Sequence, residues 1–287
     1  MIAINEITNL VNDTRSKSIG GIEVAIEVFE LAIIPYLLNS AGTWFFMKKS
    51  SLKTLNEIHN KFLQRILQTT SAMIPLMYWD TGQLLMTNRV IKMKILLMKH
   101  ISSLDHNSLA FRVYKKEKNY SIDGLVTEVK EVLASFNISL NEMEETPSDK
   151  FKQIIRNKVE EKNSSDLLEM LKTYKKVDYN TISKEKFEIQ PYMRNLSYED
   201  SVFFFKKRAR VCKTIRTHFK ANKEFAEDLY SCWECSSEWL DTSIHVEECP
   251  YYQDLKESLD MRKTEDVVMF FRQVIQRWED KQEELQT

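Results

Sequence analysis

Apolar residues recur every three or four positions along most of this chain, the spacing of helices that bury one face. Residues 50–68 have the most regular pattern. Their apolar face consists of Leu52, Leu55, Ile58, Phe62 and Ile66. Comparable patterns predict helices over residues 22–46, 81–103, 108–117, 121–136, 149–162, 165–175, 197–223, 251–259 and 265–284. The hydrophobic pattern therefore predicts an all-α fold built from helical bundles.

Several positions interrupt this pattern. Pro35 has no N–H to donate and crowds the preceding turn, so it should kink or end the first helix. The polar run at residues 163–165 predicts a break that separates two helices of a hairpin. Residues 141–147 turn acidic and lose their periodicity, which indicates a linker. Residues 177–195 have no clear apolar face and predict a second linker or an ordered loop.

The composition strengthens the helical prediction. The chain has 287 residues with 5 Gly and 5 Pro, whereas average usage would give about three times as many. So few turn-forming residues argue against sandwiches, barrels and propellers, and no glycine-rich phosphate loop is present. We find no secretory signal, and the charge-free residues 31–47 are too short and too polar for a membrane span. We therefore expect an intracellular protein, cytoplasmic or nuclear, without a membrane partner.

Three of the four cysteines lie close together with a histidine, in the pattern C-x2-C-x9-H-x3-C. The candidate ligands are Cys232, Cys235, His245 and Cys249. Three thiolates and one imidazole complete a closed tetrahedral site, so we expect one structural zinc ion per chain and no hydrolytic chemistry. A redox pair at Cys232 and Cys235, or ordinary buried cysteines, are the alternatives. Cys212, on the preceding helix, fits a core residue better than a ligand.

A strongly basic helix precedes this motif. Residues 201–223 contain no acidic residue. Their basic side chains are Lys206, Lys207, Arg208, Arg210, Lys213, Arg216, Lys220 and Lys223. An apolar stripe between them should face the core and leave a cationic face that suits phosphate. The alternative is an ordinary solvated helix face.

Two tryptophans lie inside the cysteine–histidine motif. Trp233 and Trp239 are candidates for stacking on exposed bases. The alternative is that they pack beneath a metal site too small to form its own core. The motif itself is acidic, which weakens any phosphate contact by this segment alone.

Four segments of the chain, together with the cysteine–histidine motif and Pro250 that follow them, occur in an order found in a known family. The segments are residues 33–44 (IIPYLLNSAGTW), 55–68 (LNEIHNKFLQRILQ), 74–90 (IPLMYWDTGQLLMTNRV) and 210–225 (RVCKTIRTHFKANKEF). In this order the chain resembles the C-terminal portion of non-LTR (LINE-type) retrotransposon reverse transcriptases, downstream of the polymerase palm. The resemblance implies a thumb region that grips a template–primer duplex, and a zinc-knuckle-like motif that binds nucleic acid.

The chain also departs from that family. Reverse transcription needs a pair of metal-binding aspartates in the palm, and Tyr78-Trp79-Asp80 is not such a pair. The residues after Pro250 are also too few for the nuclease domain that some lineages have there. We therefore expect no enzymatic activity from this chain alone.

These observations predict five regions: 1–140 thumb-like, 141–195 linker and helical hairpin, 196–230 basic helix, 231–250 CCHC zinc-knuckle-like motif and 251–287 C-terminal helices. The leading functional hypothesis is a non-catalytic fragment that binds RNA or DNA, as a single strand or a template–primer duplex. One alternative is a helical protein–protein interaction scaffold with a structural zinc. Another is a polymerase accessory segment that acts only with a palm domain in trans.

Overall fold

Helices account for nearly all the regular structure of this chain. A computed structural model describes residues 21–44, 47–69, 73–120, 123–174, 177–209, 235 and 243–286. Over these ranges the all-α prediction is confirmed, because they hold helices and no β-sheet. Thr81 and Ile189 pair in an isolated antiparallel bridge.

We number the α-helices of these ranges in chain order. They are α1 (Gly21–Val28), α2 (Ile34–Leu37), α3 (Lys49–Ile66), α4 (Ile74–Asp80), α5 (Met86–Ser102), α6 (Leu109–Tyr120), α7 (Leu125–Ser135), α8 (Leu140–Glu145), α9 (Ser148–Lys172), α10 (Tyr179–Ile182), α11 (Pro191–Asn195), α12 (Tyr198–Arg208), α13 (Ser243–Glu248), α14 (Gln253–Lys256) and α15 (Thr264–Gln286). Short 3₁₀ helices cover Ala41–Thr43 and Pro250–Tyr252.

The first helical segment is interrupted where Pro35 predicts an interruption. A π-helical turn, Phe29–Ile33, separates α1 from α2, and Pro35 lies in the first turn of α2. The wider turn accommodates the backbone carbonyl that the proline nitrogen is unable to bond. This segment is only partly buried, because Leu31 and Tyr36 are about four-fifths exposed.

Helices α5 and α9 run through two apolar clusters and join them. The first cluster includes Phe29, Phe62, Leu76, Met86, Val90, Leu167 and Leu171. The second includes Ile95, Met98, Val129, Leu133, Phe151, Ile155 and Val159. Helix α8 covers most of the linker predicted at residues 141–147, so that stretch is not a linker. Helices α10 and α11 lie within residues 177–195, where the sequence allowed a second linker or an ordered loop. Helices α8, α9 and α11 each bury apolar side chains in these clusters.

The predicted break at residues 163–165 is also wrong, because α9 is continuous from Ser148 to Lys172. Asparagine disfavours helices because its side chain competes for nearby backbone groups. Here Asn163 is fully buried, and its Oδ1 accepts hydrogen bonds from the Leu85 N–H and the Asn88 side chain, both at 2.9 Å. The side chain therefore bonds to the start of α5 and leaves its own helix intact.

A buried ion-pair network joins α4 to α12. The Arg208 guanidinium donates to both Asp80 oxygens, at 2.9 and 3.0 Å, and to both Glu185 oxygens, at 2.8 and 2.7 Å. Tyr192 Oη donates to Asp80 at 2.7 Å, and the Gln190 N–H donates to the Asp80 carbonyl at 2.9 Å. The Asp80 side chain is fully buried. This network connects positions 128 residues apart in the sequence.

The protonation of this network follows from its contacts. Burial alone would lower the pKa of Arg208, but Asp80 and Glu185 raise it above its ordinary value, so the guanidinium stays charged. Burial raises the pKa of the Asp80 carboxyl, and Arg208 and Tyr192 oppose that shift. Every side-chain oxygen of Asp80 has a partner, as a buried charge requires.

His59 is a second buried titratable group, in the first cluster. Its ring stacks on Phe29 with centroids 5.1 Å apart and meets the edge of Tyr78 at 4.8 Å. Among the residues that the structure describes, neither ring nitrogen of His59 has a hydrogen-bond partner of normal geometry. Burial, with a smaller contribution from the Arg89 charge, lowers the pKa of His59 well below its ordinary value. The folded protein therefore holds this histidine neutral.

We expect Arg208→Ala to lower the free energy of unfolding by about 3 to 5 kcal/mol, because it leaves Asp80 buried without its counter-charge. Arg194→Ala is the matched control. Its ion pair with Glu23 lies on the surface and should contribute about 1 kcal/mol or less. Urea unfolding followed by circular dichroism measures both. Equal losses in the two variants would contradict a stabilising role for the buried network.

We expect His59→Phe to remove part of the acid sensitivity of the fold. Below about pH 6.5 the unfolded chain takes up a proton on His59, while the folded chain does not. The free energy of unfolding therefore falls with decreasing pH, by up to about 1.4 kcal/mol per pH unit for this group. Chemical unfolding across this pH range should give a shallower slope for His59→Phe. The control His100→Gln, at an exposed histidine, should keep the wild-type slope.

Candidate metal centre

Three of the four predicted metal ligands come together in the structure. The ligand atoms of Cys235, His245 and Cys249 all lie within 4.8 Å of one another. The Cys235 sulfur is 3.4 Å from His245 Nε2. We call these three residues the cysteine–histidine group. The fourth predicted ligand, Cys232, lies outside the described residues.

The local fold explains the position of two of these ligands. His245 lies on α13, and Cys249 directly follows that helix. The Cys249 N–H donates to the His245 carbonyl at 2.7 Å, which closes one helical turn. Residues four apart on such a turn share a face. Pro250 then begins the 3₁₀ helix and ends α13.

The geometry fits a tetrahedral metal ion. Metal–sulfur and metal–nitrogen bonds of about 2.3 and 2.0 Å at tetrahedral angles separate the two ligand atoms by roughly 3.5 Å. The observed sulfur–nitrogen distance of 3.4 Å is close to this value. Two thiols and an imidazole are also ligands that zinc-type ions prefer. The cysteine–histidine group could therefore hold a metal ion.

The group lies against a third apolar cluster, which the C-terminal helices build. This cluster consists of Val246, Cys249, Tyr252, Val267, Phe270, Phe271 and Val274. Cys249 is fully buried in it, whereas Cys235 and His245 are partly exposed. Phe203 and Phe204 of α12 pack against the same cluster. An ion bound here would join the segment around Cys235 to helices that already contact α12.

Helix α12 begins as the sequence predicts. Ser197 caps it, because its Oγ accepts a hydrogen bond from the Asp200 N–H at 3.2 Å. The predicted buried stripe is confirmed for the residues described, Val202, Phe205 and Ala209. Cys212 and the rest of the stripe lie outside the described residues.

The basic side chains of α12 are arranged differently from the expectation. Arg208 was expected on a solvent-exposed cationic face, but both edges of its guanidinium bind buried or half-buried carboxylates. Lys207 pairs with Glu247 of α13, and its ammonium lies 5.8 Å from the Phe204 ring centroid and 5.5 Å from that of Phe271. These two cations hold the fold together, because each has an internal carboxylate partner. Lys206 is partly buried on the same helix.

The remaining predicted nucleic-acid contacts lie beyond the residues that the structure describes. They are Arg210, Lys213, Arg216, Lys220, Lys223, Trp233 and Trp239. For these positions the predictions from sequence stand untested.

Sequence reasoning did not find the partners of Arg208 and Lys207. Asp80 ends a short helix whose other residues are nearly all apolar, and that was the available signal for a buried carboxylate. Glu185 and Glu247 carry no comparable signal, since each is one acidic residue among many.

Comparison of the chain with protein-family models, curated proteins and solved structures gave no match. The resemblance to LINE-type reverse transcriptases therefore stays a prediction. Among the helices described, none is both long and apolar enough to cross a membrane.

We expect the purified protein to contain about one equivalent of a divalent metal, measured by plasma mass spectrometry. Cys235→Ser should lose that metal, because it removes a thiolate from the group. Cys232→Ser should lose it as well if Cys232 is the fourth ligand. Cys212→Ser is the matched control and should keep the metal. Wild-type protein without metal, or a Cys235→Ser variant that keeps its full content, would contradict the site.

Proposed function

We propose that this chain is a non-catalytic nucleic-acid-binding protein in which a structural zinc ion anchors one end of a basic segment. We define the basic segment as residues 206–223. The observation that carries the proposal is the cysteine–histidine group, whose residues follow the basic segment in the sequence. Zinc is the ion we propose, since two or three thiolates with one imidazole favour it over harder cations.

The contacts on both sides support anchoring of this segment. At its start, Arg208 is tied to Asp80 and Glu185, and Lys207 is tied to Glu247. After it, Cys235 lies beside His245 and Cys249. The described residues on either side of residues 210–234 are thus each held by contacts within the protein. Fixing both ends lowers the entropy that the segment loses on binding.

The charge of the segment favours a polyanionic partner. With Lys207 and Arg208 engaged internally, Arg210, Lys213, Arg216, Lys220 and Lys223 remain as candidate phosphate contacts, and no acidic residue interrupts them. Clustered cations on one segment are typical of nucleic-acid-binding proteins. The proposed partner is RNA or DNA, bound mainly through phosphates.

The contacts of Asp80 exclude this residue as a ligand of a catalytic metal ion. A polymerase or nuclease holds its metal ions with free carboxylates. The Asp80 carboxylate instead accepts hydrogen bonds from Arg208 and Tyr192. It has no oxygen to offer a catalytic ion without breaking the buried network.

We expect binding to a fluorescent single-stranded RNA, measured by anisotropy, to weaken with salt. Four to six phosphate contacts give a log–log slope of roughly −3 to −5. Replacing Lys213 and Arg216 by Gln should weaken binding and reduce the slope by about 1 to 2 units, because two contacts are lost. Arg208 is unsuitable for this test, because its loss affects the fold.

The matched control replaces two exposed lysines of α9, Lys150 and Lys152, by Gln. It removes the same charge about 60 residues earlier in the sequence, outside the basic segment, and should leave the slope unchanged. Removing the metal with a chelator should also weaken binding. An absence of binding at low salt, or equal slopes for the two double variants, would overturn the proposal. If an acidic protein were the partner instead, the RNA would not bind. Replacing Lys213 and Arg216 by Gln would then weaken binding of that acidic protein.

A further inference from the structure

An apolar cavity lies between α5, α6 and α7, away from the metal centre. Its volume is about 470 Å³, and its lining includes Met98, Ile101, Leu109, Val113, Leu125 and Val126. Most small-molecule sites have volumes of about 300 to 1,000 Å³ and a mainly apolar lining. The cavity is about three times the size of an engineered 150 Å³ cavity that binds benzene. It therefore has room for a hydrocarbon chain of ten carbons or more.

The mouth of the cavity exposes apolar surface. Leu109 is 74% exposed and Val113 is 48% exposed, although both lie on a helix whose other face packs on the second cluster. Inside, Met98, Leu125 and Val126 are buried. A ligand that entered past Leu109 would cover apolar area on both the mouth and the floor, which is favourable in water.

A basic depression adjoins the cavity on the surface of α6. It shares Leu109 and Val113 with the cavity and is lined by Arg112 and Lys116. These residues lie at i, i+3, i+4 and i+7 and so form one stripe of the helix. Arg112 and Lys116 are exposed, and in the described part of the chain neither forms an ion pair.

The charged residue in the lining of the cavity itself is Glu117. Its carboxylate accepts a hydrogen bond from the Val126 N–H at 3.1 Å and so caps the start of α7. A negative ligand group is disfavoured there by repulsion and favoured at Arg112 and Lys116. The cavity thus has an apolar interior, and its basic edge is the adjoining depression that Arg112 and Lys116 line.

We propose that this cavity binds the hydrocarbon chain of a single-chain fatty acid, with the carboxylate at Arg112 and Lys116. The apolar chain fits the lining, and the carboxylate fits the two cations one helical turn beyond the mouth. A neutral hydrocarbon would leave the basic edge unused. This site is independent of the nucleic-acid binding proposed above, because it shares no residue with the basic segment.

Isothermal titration calorimetry with decanoate tests the proposal. We expect one binding site per chain in the wild-type protein. Ala110→Phe should abolish binding, because residue 110 lines the cavity and is itself exposed, so the larger ring fills space without disturbing the core. Replacing Arg112 and Lys116 by Gln should weaken binding about tenfold or more, because the carboxylate loses its two charge-assisted contacts.

The Lys150 and Lys152 double variant is again the control and should bind decanoate like the wild type. Decanol should bind the wild type about tenfold more weakly than decanoate. Absence of saturable binding, or full binding by a folded Ala110→Phe variant, would overturn the proposal. Equal affinities for decanol and decanoate would overturn its ionic part. Binding to phosphatidylglycerol vesicles without binding of free decanoate would assign the surface to a membrane and overturn it as well.

Discussion

The contact between Asp80 and Arg208 is the constraint on which the rest of this structure depends. A carboxylate with no solvent access is strongly unfavourable unless its charge and its lone pairs are all matched. Arg208 supplies the charge with a bidentate contact, and Tyr192 supplies a further hydrogen bond. These groups come from α4, α11 and α12, so the three helices must be packed before the charge is satisfied.

This constraint also decides what the basic helix can do. A guanidinium that binds two carboxylates has both of its bidentate edges occupied and cannot offer phosphate a bidentate contact. Lys207 and Arg208 are therefore engaged within the fold, and only the later cations of the basic segment are candidates for the proposed phosphate contacts. Lys207 reinforces this division, because its partner Glu247 lies on the helix that also holds His245. The Lys207–Glu247 ion pair and the cysteine–histidine group thus both involve helix α13.

The apolar clusters are connected by helices that contribute residues to more than one of them. Helices α5 and α9 cross from the first cluster to the second, and the buried Asn88–Asn163 hydrogen bond marks the crossing. A polar contact at this point sets the register between two long helices, because a slip by one residue would leave both amides unpaired. The third cluster is smaller and joins the others through α12. It is the part of the fold that gains most from a bound ion, since small cores seldom suffice alone.

Several features were predictable from local sequence. Helix α3 follows from its apolar spacing, and the start of α12 follows from Ser197 and the acidic residues after it. The pairing of His245 with Cys249 follows from their separation of four residues. These predictions succeed because periodicity, capping and ligand spacing act over a few residues. The apolar stripe of Val202, Phe205 and Ala209 belongs to the same class.

Other features were decided only by tertiary structure. Asn163 predicts a helix break by its intrinsic preference, and the backbone and side chain of α5 overrule that preference. Arg208 differs in no local respect from its basic neighbours, and its role depends on a carboxylate 128 residues away. The fatty-acid-sized cavity depends on how α5, α6 and α7 diverge. Local patterns determined which segments are helical and which residues are able to bind a metal. Only the packed structure determined which charges are buried, because burial depends on partners that are distant in the sequence.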